Sequence, residues 1–124
     1  MKRDMDLIRK LLMHFEEYDS FSMEEKTKID GYDNRIIDYH LLLLAQADMI
    51  VCEASKSTTN PERYIKVYPF GLSWKGHEFL DAARDESLWN KAKAKVIEVT
   101  GGLSLYLIQS VLLYYAKQGL GIKE

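Results

Sequence analysis

The chain has 124 residues, of which 47% are hydrophobic and 29% are charged, and its formal net charge is −2 at pH 7. These proportions are typical of a globular protein and exclude a disordered tail. The negative balance also excludes a polycation, so any contact with nucleic acid would need a local basic cluster. The length predicts a single domain, 1–124. The order of its predicted elements divides this domain into a core over 1–86 and a C-terminal helical extension over 87–124.

Cysteine content and hydropathy predict the cellular compartment of the protein. Cys52 is the single cysteine, so no internal disulfide can form, and its setting in MIVCEAS is typical of a small buried side chain. The first residues, MKRDMDLIRK, lack the apolar segment of a signal peptide. The longest mostly apolar run, 103–116, is too short to span a bilayer. We therefore expect a reduced, cytoplasmic protein with no membrane partner.

Two helical patterns occupy the N-terminal part. Apolar residues recur at helical spacing from Asp4 to Glu17 and predict an amphipathic helix. The segment DSFSMEEKTKIDGYD interrupts the pattern, and within it the spacing of Ser22 and Glu25 is compatible with a capping box or with a loop. Asp33 is a suitable N-cap for a second helix over NRIIDYHLLLLAQA. The inward face of that helix comprises Ile37, His40, Leu41 and Leu44.

Two strand-like runs follow, MIVCEAS and RYIKVYPF, and the polar segment KSTTNPE separates them. Period-two alternation in both runs predicts an antiparallel hairpin with a long tip. The alternation assigns Ile65 and Val67 to one buried face. Pro69 has no backbone N–H for a strand ladder, so we expect the second strand to end there.

The stretch FGLSWKGHEFLDAARD marks a change from strand to helix. Ser73 supplies a side-chain oxygen to the free N–H groups of a helix that begins at Trp74. Gly76 falls on the apolar face of this helix, where a missing side chain permits close approach to a neighbour at a propensity cost of about 1 kcal/mol. His77 falls on the opposite, solvated face.

Two further helices are predicted in the C-terminal part. DESLWNKAKAKVIEVT places acidic residues first and lysines later, as the helix dipole favours, and two glycines end it. The last helix, from about Ser104 to Gln118, is apolar almost all round, which is typical of a helix that is fully buried or shared with a partner. The residues expected to form a symmetric dimer contact are Tyr106, Tyr114 and Tyr115.

The order of the elements is that of winged-helix domains. YHLLLLAQADMIV followed by RYIKVYPFGLSWKGHEFL resembles the recognition helix and wing of PadR-like and MarR-like bacterial regulators. Leu72, Ser73 and Gly76 stand where those families have Leu-Thr and a later Gly. Asp48 stands where they have a Gly that ends the helix, and Asp tolerates a left-handed conformation.

A second resemblance covers nearly the whole chain. MKRDMDLIRKLL, IDGYDNRIIDYHLLLLAQADMI, LSWKGHEFLDAARDESLWNKAK and AKQGLGI are similar, in this order, to a family of small bacterial and phage-borne proteins known as a domain of unknown function. The resemblance implies a winged-helix-like core and a phage or prophage context, but no activity, ligand or catalytic residue.

The expected fold is therefore α+β, with a winged-helix-like core of helices and a β-hairpin wing, extended by two C-terminal helices. The residues expected in its core are Met5, Ile8, Leu12, Phe15, Leu41, Leu44, Ile65, Val67, Phe79 and Leu80.

The leading hypothesis is a small regulator or accessory protein of phage type that binds DNA, and the alternative is a protein-interaction adaptor on the same scaffold. A recognition helix beginning at Asn34 would present polar side chains suited to base edges, and the wing would add basic ones. Asp33 and Asp38 oppose this interpretation, and a neutral or acidic surface around Arg35 would remove most of its support. The candidate DNA-binding residues are Asn34, Arg35, Tyr39, Lys56 and Arg63.

Catalysis has the least support of the functions considered. His14, His40 and His77 lie in three separate predicted helices without the spacing of metal ligands, and His40 is typical of a core histidine with satisfied hydrogen bonds. The carboxylates at 16–17 and 24–25 are adjacent in sequence and point apart, so they form no catalytic dyad. We expect no enzyme, no catalytic or metal-binding residue and no cofactor.

Overall fold

The computed structural model describes residues 1–19 and 21–122, and within them the chain forms five helices and one antiparallel hairpin. This is the α+β class that the sequence predicts. No helix in the described part is long and apolar enough to cross a membrane. The elements, in chain order, are α1 (Met5–Glu17), α2 (Asn34–Gln46), β1 (Ile50–Lys56), β2 (Tyr64–Leu72), α3 (Trp74–Ala83), α4 (Glu86–Thr100) and α5 (Leu105–Gly119).

The chain divides into two compact units, Met1–His77 and Glu78–Glu124. The first contains α1, α2 and the hairpin, and the second contains α4 and α5. The boundary falls within α3.

Short polar side chains start the helices where the sequence predicts. The Asp33 carboxylate accepts a hydrogen bond from the N–H of Arg35 at 2.7 Å, which caps α2. Asp4 caps α1 and Asp85 caps α4 in the same way. Each cap satisfies a backbone donor that has no partner inside its own helix, so these boundaries depend on neighbouring residues alone.

The hairpin has an irregular register, and this changes the position of Ile65. Ser55 pairs with Lys66 and Lys56 pairs with Tyr64, so Ile65 is an extra residue on β2. Its side chain is 66% exposed, so its predicted place in the core is wrong. Period-two alternation assumes an unbroken ladder, and one inserted residue turns the next side chain to the other face.

Pro69 lies inside β2, so the prediction that the strand ends there is also wrong. Cys52 pairs with Pro69 and Val51 pairs with Gly71, which makes Phe70 the extra residue of a second irregularity. Both strands of a two-stranded sheet are edge strands, and an edge strand beside a bulge tolerates a residue without an N–H. The strand therefore continues to Leu72.

The remaining predicted core residues are all buried, which confirms them. In the N-terminal unit the largest is Phe15, which is 1% exposed. In the C-terminal unit the ring of Phe79 meets Trp89 edge to face, with 6.3 Å between centroids. The confirmed residues are Met5, Ile8, Leu12, Phe15, Leu41, Leu44, Val67, Phe79 and Leu80.

The joint between β2 and α3 has the geometry that the sequence predicts. The Ser73 hydroxyl accepts from the N–H of Gly76 at 3.0 Å and donates to the Asp48 carbonyl at 2.6 Å. Asp48 has φ 58, the left-handed conformation that its position at the end of α2 requires. Gly76 is buried, and a Cβ atom added there would fall on the carbonyl oxygen of Met49.

Candidate functional site

The predicted recognition helix presents its N-terminal end to solvent. Asn34, Arg35 and Asp38 are exposed and Tyr39 is half-buried, so α1 does not cover these positions. Tyr39 also packs edge to face on the ring of His40, with 5.5 Å between centroids. This end of α2 is therefore accessible to a macromolecule.

The hairpin carries the other candidate DNA-binding residues. Lys56 and Arg63 are exposed on either side of its tip. The Lys56 ammonium lies 5.4 Å from the centre of the Tyr64 ring. The N–H of Ser57 donates to the Arg63 carbonyl at 2.9 Å, and this bond closes the tip.

Charges on these two elements balance. The Lys66 ammonium lies 3.9 Å from the Asp38 carboxylate, so one basic side chain of β2 is already paired with α2. A charge-neutral surface gives little attraction to a phosphate backbone. Over α2 with its N-cap (33–46) and the hairpin with its tip (50–72), the basic residues are Arg35, Lys56, Arg63 and Lys66, and the acidic ones are Asp33, Asp38, Glu53 and Glu62.

His40 is completely buried and uses both ring nitrogens. Nε2 accepts from the backbone N–H of Asp4 at 2.8 Å, which assigns the ring proton to Nδ1. Nδ1 then donates to the Ile36 carbonyl at 2.7 Å. The imidazole thus links the first turn of α1 to α2, and no nitrogen is left to act as a base.

The structure also brings together two titratable side chains, His14 and Glu24, whose contact the sequence does not predict. Nε2 of His14 on α1 lies 3.0 Å from both carboxylate oxygens of Glu24. The ring of Tyr18 stacks on His14 at a centroid distance of 6.2 Å. The spacing of ten residues has no regular period, so only the course of the chain after α1 creates this contact. The His14–Glu24 contact holds the segment that follows α1 against this helix.

Metal-ligand geometry is absent from residues 1–19 and 21–122. No group of three or more His, Cys, Asp or Glu side chains in this part is arranged to hold a metal ion.

Cys52 is half-buried on β1, and its surroundings disfavour the thiolate. Burial, and then the negative charges of Glu53 and Asp48, raise the pKa of the Cys52 thiol above its ordinary value. Since the thiolate is the nucleophile, the cysteine is expected to react slowly near neutral pH.

We expect iodoacetamide to alkylate Cys52 several-fold more slowly in the folded chain than in urea at pH 8. The rate should also reach half its maximum at a higher pH in the folded chain, since burial and nearby carboxylates oppose ionisation. Glu53→Gln should lower that midpoint, whereas Glu62→Gln should not. Equal midpoints in the folded and urea-unfolded chains would contradict a raised pKa of the Cys52 thiol in the folded chain.

The same shift predicts that stability falls as pH rises. Above the ordinary thiol pKa the unfolded chain loses the Cys52 proton while the folded chain retains it. The free energy of unfolding should therefore decrease from that pH up to the raised pKa, and Cys52→Ala should remove this decrease.

Much of α5 exposes apolar side chains to solvent. Of its 15 residues, only Ile108 and Leu112 are buried. Tyr106 is 76% exposed, and Leu113 and Tyr114 are 43% and 45% exposed. Together with Leu107 and Ser110 they form one outward surface, here called the α5 face, which consists of Tyr106, Leu107, Ser110, Leu113 and Tyr114.

An apolar groove between α4 and α5 borders this face. Its volume is about 350 Å³, and it is lined by Val96 and Val99 from α4 and by Leu107 and Tyr114 from α5, among others. Tyr115 also lines the groove, where its ring lies 4.5 Å from the Lys91 ammonium. Of the three tyrosines predicted for a dimer contact, Tyr106 and Tyr114 thus share the α5 face and Tyr115 packs toward α4.

Comparison with known proteins identifies relatives of this chain. Residues 2–103 match the family described as "Hypothetical protein (DUF2513)". The chain is 30% identical over 112 residues to an uncharacterized protein of Haemophilus influenzae, an alignment that covers 90% of this chain and 92% of that protein. No solved structure matches significantly. These matches agree with the whole-chain resemblance to a domain of unknown function, and the chain belongs to the DUF2513 family.

Proposed function

We propose that the chain is a protein-interaction adaptor that binds its partner through the α5 face and catalyses no reaction. In this proposal the N-terminal unit is a winged-helix-like scaffold, and the protein acts in the cytoplasm of a bacterium, in a phage or prophage context. The observation that supports it is the exposure of α5, a helix rich in Leu and Tyr of which two residues are buried.

Exposed apolar surface of this kind is typical of interaction sites. Monomeric proteins rarely keep a continuous apolar patch in water unless it has a partner. Tyrosine is enriched at interfaces, because its ring buries a large area and its hydroxyl remains hydrogen-bonded. The α5 face combines two exposed tyrosines with two exposed leucines and contains no charged side chain.

Site-specific photocrosslinking in cells tests this proposal. With p-benzoylphenylalanine in place of Tyr114, we expect a discrete covalent adduct after irradiation. The same amino acid at Asn90, an exposed position on α4, serves as the control. The adduct should also disappear when Leu113→Glu is combined with the Tyr114 probe. No adduct from Tyr114, or the same adducts from both positions, would contradict an interaction role for the α5 face.

DNA binding is the second candidate, and the exposure of Asn34 and Arg35 in the first turn of α2 favours it. Polar and basic side chains at the N-terminal end of a helix are suited to base edges in the major groove. Lys56 and Arg63 would then contact phosphates from the hairpin. The balanced charge of this surface makes DNA binding the weaker of the two proposals.

We expect the fluorescence anisotropy of a labelled random duplex to stay unchanged on addition of the protein at 150 mM salt, because the two elements carry equal numbers of acidic and basic residues. If binding is seen instead, and the logarithm of the affinity falls with the logarithm of the salt concentration at a slope of about 0.9 per phosphate contact, the protein has a basic surface that contacts DNA. Loss of binding in Arg35→Glu would assign that surface to α2, provided that Lys95→Glu, an equal charge change on α4, still binds.

A further inference from the structure

The α5 face has nearly the same composition in both directions from Ser110. Leu107 and Leu113 stand three residues before and after it, and Tyr106 and Tyr114 stand four residues before and after it. Positions three and four residues apart lie on the same side of a helix. A two-fold rotation about an axis through Ser110, perpendicular to α5, therefore exchanges like side chains.

We propose that the α5 face binds the α5 face of a second copy of the chain, with the two helices antiparallel and crossing at Ser110. The inference rests on the proposed function, in that it names the partner of the surface proposed there. A two-fold interface must be complementary to itself. In this arrangement Tyr106 meets Tyr114 of the second copy, and Leu107 meets its Leu113.

The centre of the face permits close approach of two helices. Ser110 is small and exposed, and the distance between packed helices is set by the side chains at the contact. Its hydroxyl donates to the Tyr106 carbonyl at 2.9 Å, so an apolar partner leaves no donor unsatisfied there. The Tyr114 hydroxyl already accepts from the Gln118 amide at 2.9 Å.

Electrostatics also favours the antiparallel arrangement. Lys117 is the single charged residue in the sequence of α5, so the axis at Ser110 brings no like charges together. Antiparallel helices place the negative end of each dipole beside the positive end of the other.

The size of the face predicts a weak dimer. Four large side chains from each copy bury less than the roughly 1,200 Å² at which stable interfaces begin, so we expect a dissociation constant on the order of ten micromolar. The adjoining groove would extend the contact through Val99, which is 71% exposed.

Sedimentation of the full chain between about 1 and 300 μM tests the inference, a range that spans the expected dissociation constant. The weight-average mass should rise from 14.4 kDa toward twice that value. Leu113→Glu should weaken association at least tenfold, because two buried carboxylates would face apolar side chains. The matched control is Ile97→Glu, the same kind of change at a residue that is 48% exposed on α4, and it should leave the association unchanged.

A cysteine at the proposed axis tests the symmetry. In a Cys52→Ser background, Ser110→Cys should form a disulfide between copies under diamide, because each thiol would face its counterpart. Ile97→Cys in the same background should remain largely unlinked under the same conditions.

A constant mass of 14.4 kDa at every concentration would overturn the inference, as would equal effects of Leu113→Glu and Ile97→Glu. Efficient linkage through Ile97→Cys but not through Ser110→Cys would also overturn it. If the chain is monomeric while the Tyr114 photoprobe captures a different protein of one defined mass, the second copy is the wrong partner and the adaptor proposal stands. If the chain is monomeric and the Tyr114 photoprobe gives no adduct, both the dimer proposal and the adaptor proposal are rejected.

Discussion

Gly76→Ala should lower the free energy of unfolding by about 3 kcal/mol, even though alanine favours a helix by about 1 kcal/mol over glycine. The added Cβ would fall on the carbonyl oxygen of Met49. That oxygen belongs to the backbone and accepts the N–H of Ser73 at 3.1 Å, so it cannot withdraw without breaking the joint between β2 and α3. The midpoint of urea unfolding should fall with an unchanged slope.

Gly119→Ala provides the matched control. Gly119 also lies in a helix, but a Cβ there has no neighbour within 4 Å. This variant should be neutral or slightly stabilising, because the higher helix propensity of alanine is not opposed by a clash. Equal unfolding midpoints for the two variants would show that Gly76 is not required for close packing.

His40→Leu should lower the free energy of unfolding by about 2–4 kcal/mol. Leucine fills a similar volume but leaves the N–H of Asp4, which now donates to His40 Nε2 at 2.8 Å, without its acceptor. Because Asp4 is the N-cap of α1, the first turn of that helix should loosen.

Amide hydrogen exchange distinguishes this effect from a general loss of packing. In the His40→Leu variant the Asp4 amide should lose more protection than amides in the middle of α1. His77→Leu, at an exposed position on α3, is the control and should change stability by less than about 0.5 kcal/mol. A His40→Leu protein as stable as this control would show that the two hydrogen bonds of the His40 ring contribute little to the free energy of unfolding.

The two proposals for function depend on different parts of the chain. The DNA-binding hypothesis needs α2 and the hairpin, where basic and acidic residues are equal in number. The adaptor hypothesis needs α5, where the exposed side chains are mostly apolar. Because Arg35→Glu and Leu113→Glu each change one of these surfaces, the two variants separate the hypotheses in a single set of binding measurements.

The joint at Ser73 shows how much short stretches of sequence determine. The N-cap at Ser73 and the burial of Gly76 both follow from patterns within one or two turns of α3. The helix starts at Asp33 and Asp85 are equally local, because a cap needs one side chain and a backbone N–H two or three residues away. Periodicity within each helix likewise predicts which face is buried.

Three features depend on contacts outside a single helix or strand, and only the tertiary structure decided them. They are the bulges of the hairpin, the contact of His14 with Glu24 and the exposure of α5. Ile65 and Pro69 were misplaced because a bulge is a property of two strands together, and the alternation within one strand does not reveal it. The contact of His14 with Glu24 depends on the path of the chain after α1. For α5 the sequence allowed burial or a shared surface, and packing against neighbours buries Ile108 and Leu112 and leaves the α5 face in solvent.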